Sequence, residues 1–355
     1  MKNIRFPRLR FGLGLCFVPA VLLLTAQAQD AKAPTEPAPP ALDEIKITER
    51  VNAATTRALD YIASKQRPDG GWANNNAING FTLLAFLGRG HTPGRGPYKE
   101  VLEKGKKFLL STQQPTGYTS FSSMYEHGMA TLAMAEMYGM DPDPELEEKT
   151  RKAVDLIVKI QGNLGGWNYA PSPADGDLSV SVMQIVAMRA ASNAEVPVPQ
   201  TAIKKAITYV RGKANPSGPG YGYAGPGPGT PQTSAAGALS MQLLGQYNDP
   251  QIERTLAWLS AIKPDWSGAG GVSYFYYFHY YAIQAYYQAG GKEWNEWHPR
   301  VRELLLKNQN KDGSWDVPPG SAEANLVTPE SKVYSTAIAT LVLNIYKHFL
   351  PAYQR

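Results

Sequence analysis

The chain is 355 residues long, with 35 Lys and Arg against 30 Asp and Glu, a single cysteine and 43% hydrophobic residues. Its net charge of +5 gathers at the start, where Lys2, Arg5, Arg8 and Arg10 precede any acid; without them the formal charge falls to +1. A chain that close to neutral, with no local basic cluster, has no electrostatic reason to bind nucleic acid or anionic lipid. The basic residues lead into an apolar run, Phe11 to Leu24, that closes on Ala26-Gln27-Ala28. This is the pattern of a secretory signal peptide over residues 1–28, so the expectation is export to the periplasm or the extracellular space. Cys16 lies inside that run, preceded by Leu15 rather than the small residue of a lipoprotein signal. The mature chain then has no cysteine, which removes thiolate nucleophiles and sulfur-based zinc sites. Residues 29–44, rich in Pro and Ala, read as an extended linker. No later stretch reaches the roughly 18 to 20 apolar residues that cross a bilayer, so no stable membrane insertion is expected after cleavage.

From residue 45 to 355 the chain is periodic. Gln66 precedes Asp69-Gly70-Gly71-Trp72, Gln113 precedes Gly117-Tyr118, Gln161 precedes Gly165-Gly166-Trp167, and Gln309 precedes Asp312-Gly313-Ser314-Trp315. The first intervals are 47 and 48 residues, and the remaining 148 hold about three more, with degenerate copies near Arg211 and Ile262. Each unit begins with an amphipathic stretch, as in Ala153, Leu156, Ile157 and Ile160. A turn of Gly, Pro, Asn and Asp follows, then a segment apolar on every side: Ala77 to Leu87, Tyr125 to Tyr138, Leu178 to Ala191, Thr233 to Leu244, Tyr274 to Tyr287, and Val333 to Phe349. Helices apolar all round are buried ones, so the second helix of each pair lines an interior that the first covers. The last helix is as apolar as the rest, with no polar end cap, which favours ring closure over an open solenoid. The predicted fold is all-α, an (α/α)6 toroid of six helical hairpins with inner and outer rings. The N-termini of the inner helices then converge on one mouth, and function is sought there.

The repeated Gln followed by Gly-x-Trp or Gly-Gly-Trp resembles the QW repeat of the prenyltransferase, squalene-hopene cyclase and terpene cyclase superfamily, over residues 50 to 350. The resemblance implies that Gln66, Gln113, Gln161 and Gln309 tie outer helices together, with Trp72, Trp167 and Trp315 packed beside them. Gly88 to Tyr98 and Met124 to Thr131 look closer to a secreted bacterial single-toroid subgroup of unassigned activity. Class II terpene cyclases carry Asp-x-Asp-Asp at the mouth, its middle aspartate protonating an alkene. Here Asp175-Gly176-Asp177-Leu178 puts Asp177 at that place and Leu178 where the last aspartate would be. Asp177 is therefore either a general acid, with Asp175 beside it, or the N-cap of the helix that starts at Leu178.

His127, between Glu126 and Gly128, is a candidate acid or base, or a buried imidazole on a backbone carbonyl. His279 occupies the matching place in the fifth inner helix. Tyr125 and Tyr334 stand near the starts of the second and sixth. The run Tyr274 to Tyr281 wraps a whole helix, and Tyr276 with Tyr280, at i and i+4, are the candidates to face the lumen. Tyr221 and Tyr223, in the loop 215–231, are candidates for a lid. The histidines show no metal-binding spacing, and Asn308, Asn310 and Asp312 lack the glutamate of a calcium loop, so no metal or cofactor is implied. Neither a Gly-x-Ser-x-Gly elbow nor a phosphate loop occurs. The reading that follows is a toroid binding a small apolar, peptide or glycan ligand at its mouth. A cyclase-like enzyme using Asp177 is the alternative, and a carbohydrate-active enzyme drawing two carboxylates from Glu126, Glu136, Asp175 and Asp177 is a weaker one.

Overall fold

The computed structural model describes residues 42–267, 272–325, 330–347 and 350. The signal peptide 1–28 and linker residues 29–41 lie outside that range, as does the part of the last apolar segment at 348 and 349. The chain divides into two compact units, Met1–Thr48 and Glu49–Arg355; the architecture below is that of the second. Among the described residues no strand forms, and no helix is long and apolar enough to cross a membrane.

Among the described residues twelve α-helices alternate between two rings. The outer set is α1 (Leu42–Ser64), α3 (Lys99–Ser111), α5 (Pro144–Lys159), α7 (Gln200–Arg211), α9 (Pro250–Ser260) and α11 (Gly291–Lys307). The inner set is α2 (Asn76–Leu87), α4 (Met124–Met140), α6 (Leu178–Asn193), α8 (Pro231–Leu243), α10 (Phe275–Ala289) and α12 (Ser331–Asn344). α1 starts within the predicted linker, at Leu42. The outer helices bury one stripe, as Leu146, Thr150, Ala153, Val154 and Ile157 do in α5. The inner helices are buried almost throughout, Ala235-Ala236-Gly237-Ala238 of α8 allowing close approach. Each inner helix packs on the next, and α12 returns to α2, so the ring is closed.

The QW turns hold the outer ring. Gln66 Nε2 donates to Gly70 O at 2.9 Å and to Val101 O of α3 at 2.8 Å. Gln161 repeats this with Gly165 O and Ala202 O, at 2.9 and 3.0 Å. Gln113 reaches Lys149 O of α5, and Gln309 reaches back to Ala54 O of α1 at 2.8 Å, completing the circle. Trp72, Trp167 and Trp315 each donate an indole N–H, at 2.8 Å, to the carbonyl ten residues earlier. The turn glycine admits no side chain: Gly165 has φ +103°, and a Cβ there would sit 2.1 Å from Lys205 O.

Candidate functional site

The mouth is defined by exposure. Past the first turn, and up to the last, the inner helices are buried nearly throughout; within that first turn the part-exposed residues include Ile78, Tyr125, Ser179, Pro231, Tyr277 and Tyr334, at least one per helix. Around them the loops that lead into four inner helices raise Phe121, Tyr169, Tyr223 and Tyr274, four of the six large hydrophobic residues exposed on the described surface. Backbone bonds fix two of these to the rim. Tyr169 O accepts from Met124 N, the first amide of α4, at 2.8 Å, and Tyr223 O accepts from Leu178 N, the first amide of α6, at 2.9 Å. Tyr169 and Tyr223 thus each cap the inner helix of the unit before their own.

Below the rim, phenols line the wall. Tyr277 lies within electrostatic reach of Tyr125, Tyr169, Asp177 and Tyr223, and Tyr281 within reach of Tyr125, Tyr277, Tyr280 and Tyr334. Burial pushes the hydroxyls of Tyr125, Tyr277, Tyr281 and Tyr334 well above their ordinary value, so they stay protonated donors. The Tyr277 hydroxyl is buried without a partner. Side chains then meet across the axis. Phe81 of α2 stands edge-on to Tyr280 of α10 with centroids 5.0 Å apart, and the Tyr281 hydroxyl donates to Met183 Sδ of α6 at 3.1 Å. Neither pair of helices is adjacent in the ring, so these contacts form a floor beneath the mouth.

Asp177, 8% exposed, caps α6. Its Oδ1 accepts from Ser179 N at 2.8 Å, Val180 N at 3.3 Å and Ser179 Oγ at 2.6 Å. Ser179 Oγ lies 2.8 Å from the Tyr169 hydroxyl, which is 3.3 Å from that of Tyr223. Burial and the bonds to Tyr169 and Asp177 push the Tyr223 hydroxyl up. Of the expected site residues, then, Asp177, Tyr125, Tyr223 and Tyr334 come together here.

Others do not. Asp175 is turned into the QW turn, where its oxygens accept from Leu164 N and Gly166 N at 2.8 and 2.9 Å. Glu126 is buried; its Oε2 takes Asn76 N of α2 and Phe121 N, at 3.0 and 3.1 Å, and its Oε1 takes the Ser122 hydroxyl. His127 is fully buried, accepting from Thr119 N on Nδ1 at 3.1 Å and lying 3.2 Å from Ala153 O through Nε2. With both ring nitrogens engaged and burial holding it down to about 4, it is a neutral structural imidazole rather than an acid or base. His279 faces the outer ring, stacked on Trp297 of α11, with Nδ1 on Phe275 O at 2.7 Å. Tyr276 is buried against the last QW turn, its hydroxyl on Asp316 O, and Tyr280 belongs to the floor. Tyr221 is buried with its backbone pinned to Thr233 and Ser234, so of the proposed lid only Tyr223 meets the mouth.

Sequence reasoning missed Tyr169, Tyr277, Tyr281 and Glu323. Glu323, buried, accepts from Tyr276 N and Tyr277 N at 3.0 and 2.8 Å, from Ser321 Oγ at 3.0 Å and from the Tyr334 hydroxyl at 3.2 Å. It does for α10 what Glu126 does for α2. Burial raises its carboxyl above the ordinary glutamate value, against those four bonds. Among the described residues no three His, Cys, Asp or Glu side chains gather to hold a metal ion.

No family model matches the chain. Lanosterol synthase of Candida albicans is 29% identical over 104 residues, which is 25% of this chain and only 14% of that enzyme's length. Among solved structures, a variant of the type II terpene cyclase MstE from Scytonema, in complex with geranylgeranyl dihydroxybenzoate, superposes with TM-score 0.59 at 14% identity, covering 86% of this chain and 99% of that one. An inactive variant of the α-1,6-mannanase GH76A of Salegentibacter, in complex with α-1,6-mannotetrose, superposes with TM-score 0.63 at 9% identity, over 83% and 98%. At such identities the likeness is one of fold: this chain has the α/α toroid that terpene cyclases and a mannanase share.

Proposed function

We propose that the chain is an exported binding toroid that holds a glycan at its mouth without turning it over. The observation that carries this reading is the pairing of a phenol-lined mouth with carboxylates already in use. Aromatic faces at the rim, Phe121, Tyr169, Tyr223 and Tyr274, suit the apolar faces of sugar rings, while the hydroxyls of Tyr125, Tyr277 and Tyr334 can meet sugar hydroxyls. The Tyr277 hydroxyl, buried beneath the rim without a partner, becomes a hydrogen-bond donor for a polyhydroxylated ligand that displaces the side chains covering it. Glycoside hydrolysis needs two working carboxylates; Asp175, Glu126 and Glu323 are bonded on both oxygens, and Glu136 is buried near the far end of α4, which leaves Asp177 as the candidate carboxylate at the mouth. The Scytonema cyclase and the Salegentibacter mannanase, in complex with a prenylated benzoate and an oligosaccharide, support a toroid of this fold as a holder of small ligands, a glycan among them.

A second reading, a cyclase-like acid at Asp177, is favoured by the three donors on its Oδ1, which would stabilise a carboxylate. Against it, Leu178 stands where the neighbouring acid would be. Isothermal titration with oligosaccharides and with polyprenoids, the mixtures then analysed by mass spectrometry, tests the two. Saturable glycan binding with unchanged ligand supports binding. A polyprenoid product absent from Asp177→Asn overturns it.

A further inference from the structure

The pole opposite the mouth carries cations that the mouth does not use. Arg89 follows the C-cap of α2, Lys347 ends the short 3-10 turn after α12, and His298 and Arg302 lie on α11. Tyr346 stands among them. Lys347 Nζ is 5.7 Å from its ring centroid, the His298 ring is 6.1 Å away, and the charges of Arg89 and Arg302 both act on its hydroxyl. His91 lies beside Arg89, edge-on to Tyr98 at 4.9 Å.

Little opposes these charges. Arg89, half-buried, gives Nη1 to the neutral Asn52 at 2.8 Å, and its Nε is buried without a partner. Glu303 is shared between Arg302 at 3.3 Å and Arg50 at 2.9 Å, and Asp60 accepts from the Tyr98 hydroxyl at 2.7 Å. Two more groups there lack partners: His298 Nε2, and both side-chain polar atoms of Asn344, which is 4% exposed and two residues before Tyr346. Cations near helix C-termini are ordinary, and the ends of α2 and α12 account for one each. Arg302 and His298 sit in the body of α11, beyond its first turn and before its last, so neither is there to complement a helix end. The mutual repulsion is expressed in the groups themselves. Burial first, and then the Arg89 charge, hold Lys347 and His91 below their ordinary values, as burial and Arg302 do for His298.

We propose that Arg89, Lys347 and Arg302, grouped around Tyr346, form a binding site for a phosphate- or sulfate-type oxyanion at the pole opposite the mouth. Such an anion offers the several acceptors that a guanidinium fork and an ammonium require. It can arrive as a free ion or as a lipid or glycan substituent. The inference stands apart from the reading of the mouth.

The test is the melting temperature of the full chain in chloride, sulfate and inorganic phosphate at matched ionic strength, repeated with phosphatidylglycerol and phosphatidylcholine vesicles. Phosphate is expected to raise the melting temperature saturably, and Lys347→Gln and Arg89→Gln to weaken phosphate at least tenfold, while Arg89→Lys restores part of it. Without phosphate, Lys347→Gln is expected to melt no lower than the parent, because it removes repulsion. Selective binding to phosphatidylglycerol vesicles would assign the anion to a lipid headgroup. Equal shifts in chloride and phosphate, or undiminished phosphate binding in both a folded Lys347→Gln and a folded Arg89→Gln, would overturn the proposal.

Discussion

Replacing Gln309 with alanine tests the closure of the ring. The side chain donates to Gly313 O at 2.9 Å within its own turn and to Ala54 O at 2.8 Å, 255 residues back. Gln161→Ala is the internal control, because it loses the same two kinds of bond, at 2.9 and 3.0 Å, between consecutive units. An intramolecular hydrogen bond contributes about 1 kcal/mol net, and an abandoned buried carbonyl costs somewhat more, so each substitution is expected to cost about 2 to 3 kcal/mol. The Gln309 value should fall at the lower end, since its bonds are part-buried and water can replace them in part. Urea unfolding followed by circular dichroism measures both, with the slope held equal to the parent's. In an open superhelix the Ala54 bond would not exist, and Gln309→Ala would cost about half as much as Gln161→Ala. A Gln309→Ala loss of half the Gln161→Ala loss or less would refute closure.

Three further outcomes follow from the same geometry. Burial holds His127, His279 and His298 down to about 4, against an ordinary value near 6.5 in the unfolded chain. Between those values the unfolded chain binds more protons, so stability should fall as pH drops from about 6.5 to about 4, by on the order of 3 kcal/mol for each fully buried histidine. Unfolding as a function of pH should show a shallower slope in His127→Gln, and an unchanged slope would contradict the buried neutral imidazole. Gly165→Ala forces a Cβ to 2.1 Å from Lys205 O at φ +103°, whereas Gly245→Ala, at φ +82°, meets open space. The first should cost over 3 kcal/mol and the second about 1 kcal/mol in thermal unfolding, and equal costs would deny the close approach of turn and helix. Tyr334→Phe removes the hydroxyl from Glu323 and should destabilise by about 1 kcal/mol while leaving α10 capped by Glu323, as amide exchange at Tyr276 and Tyr277 would report. Rapid exchange there would show that the carboxylate depends on Tyr334 for its position.

The scaffold was legible because its signals are local and repeated. A glutamine, a glycine that must turn, and a tryptophan recur at one interval, and each unit pairs a striped helix with one apolar all round. The histidines and carboxylates were harder, since the same residue type caps a helix or works at a site according to where its bonds lead. Asp175 and Glu126 spend their oxygens on amides that only the fold brings near. The phase of α10 was read only in part: Tyr280 meets Phe81 across the ring, Tyr277 and Tyr281 join it there, and Tyr276 turns instead to the last QW turn. A helix that is aromatic on every side has no polar face to fix its rotation. What fixes it is Glu323, some 46 residues away, gripping the amides of Tyr276 and Tyr277. The polar cluster around Tyr346 was invisible for a similar reason, since Arg89 and Arg302 are distant in sequence and share only their nearness to Tyr346.

Titration of oligosaccharides into the folded chain, alongside Tyr277→Phe and Tyr125→Ala, bears most directly on the phenol-lined mouth. The account predicts saturable binding, recovery of the sugar intact, a several-fold loss of affinity in Tyr277→Phe and a larger loss in Tyr125→Ala. Oligosaccharide affinity that both substitutions leave untouched, or hydrolysis of the sugar by the parent chain, would contradict it.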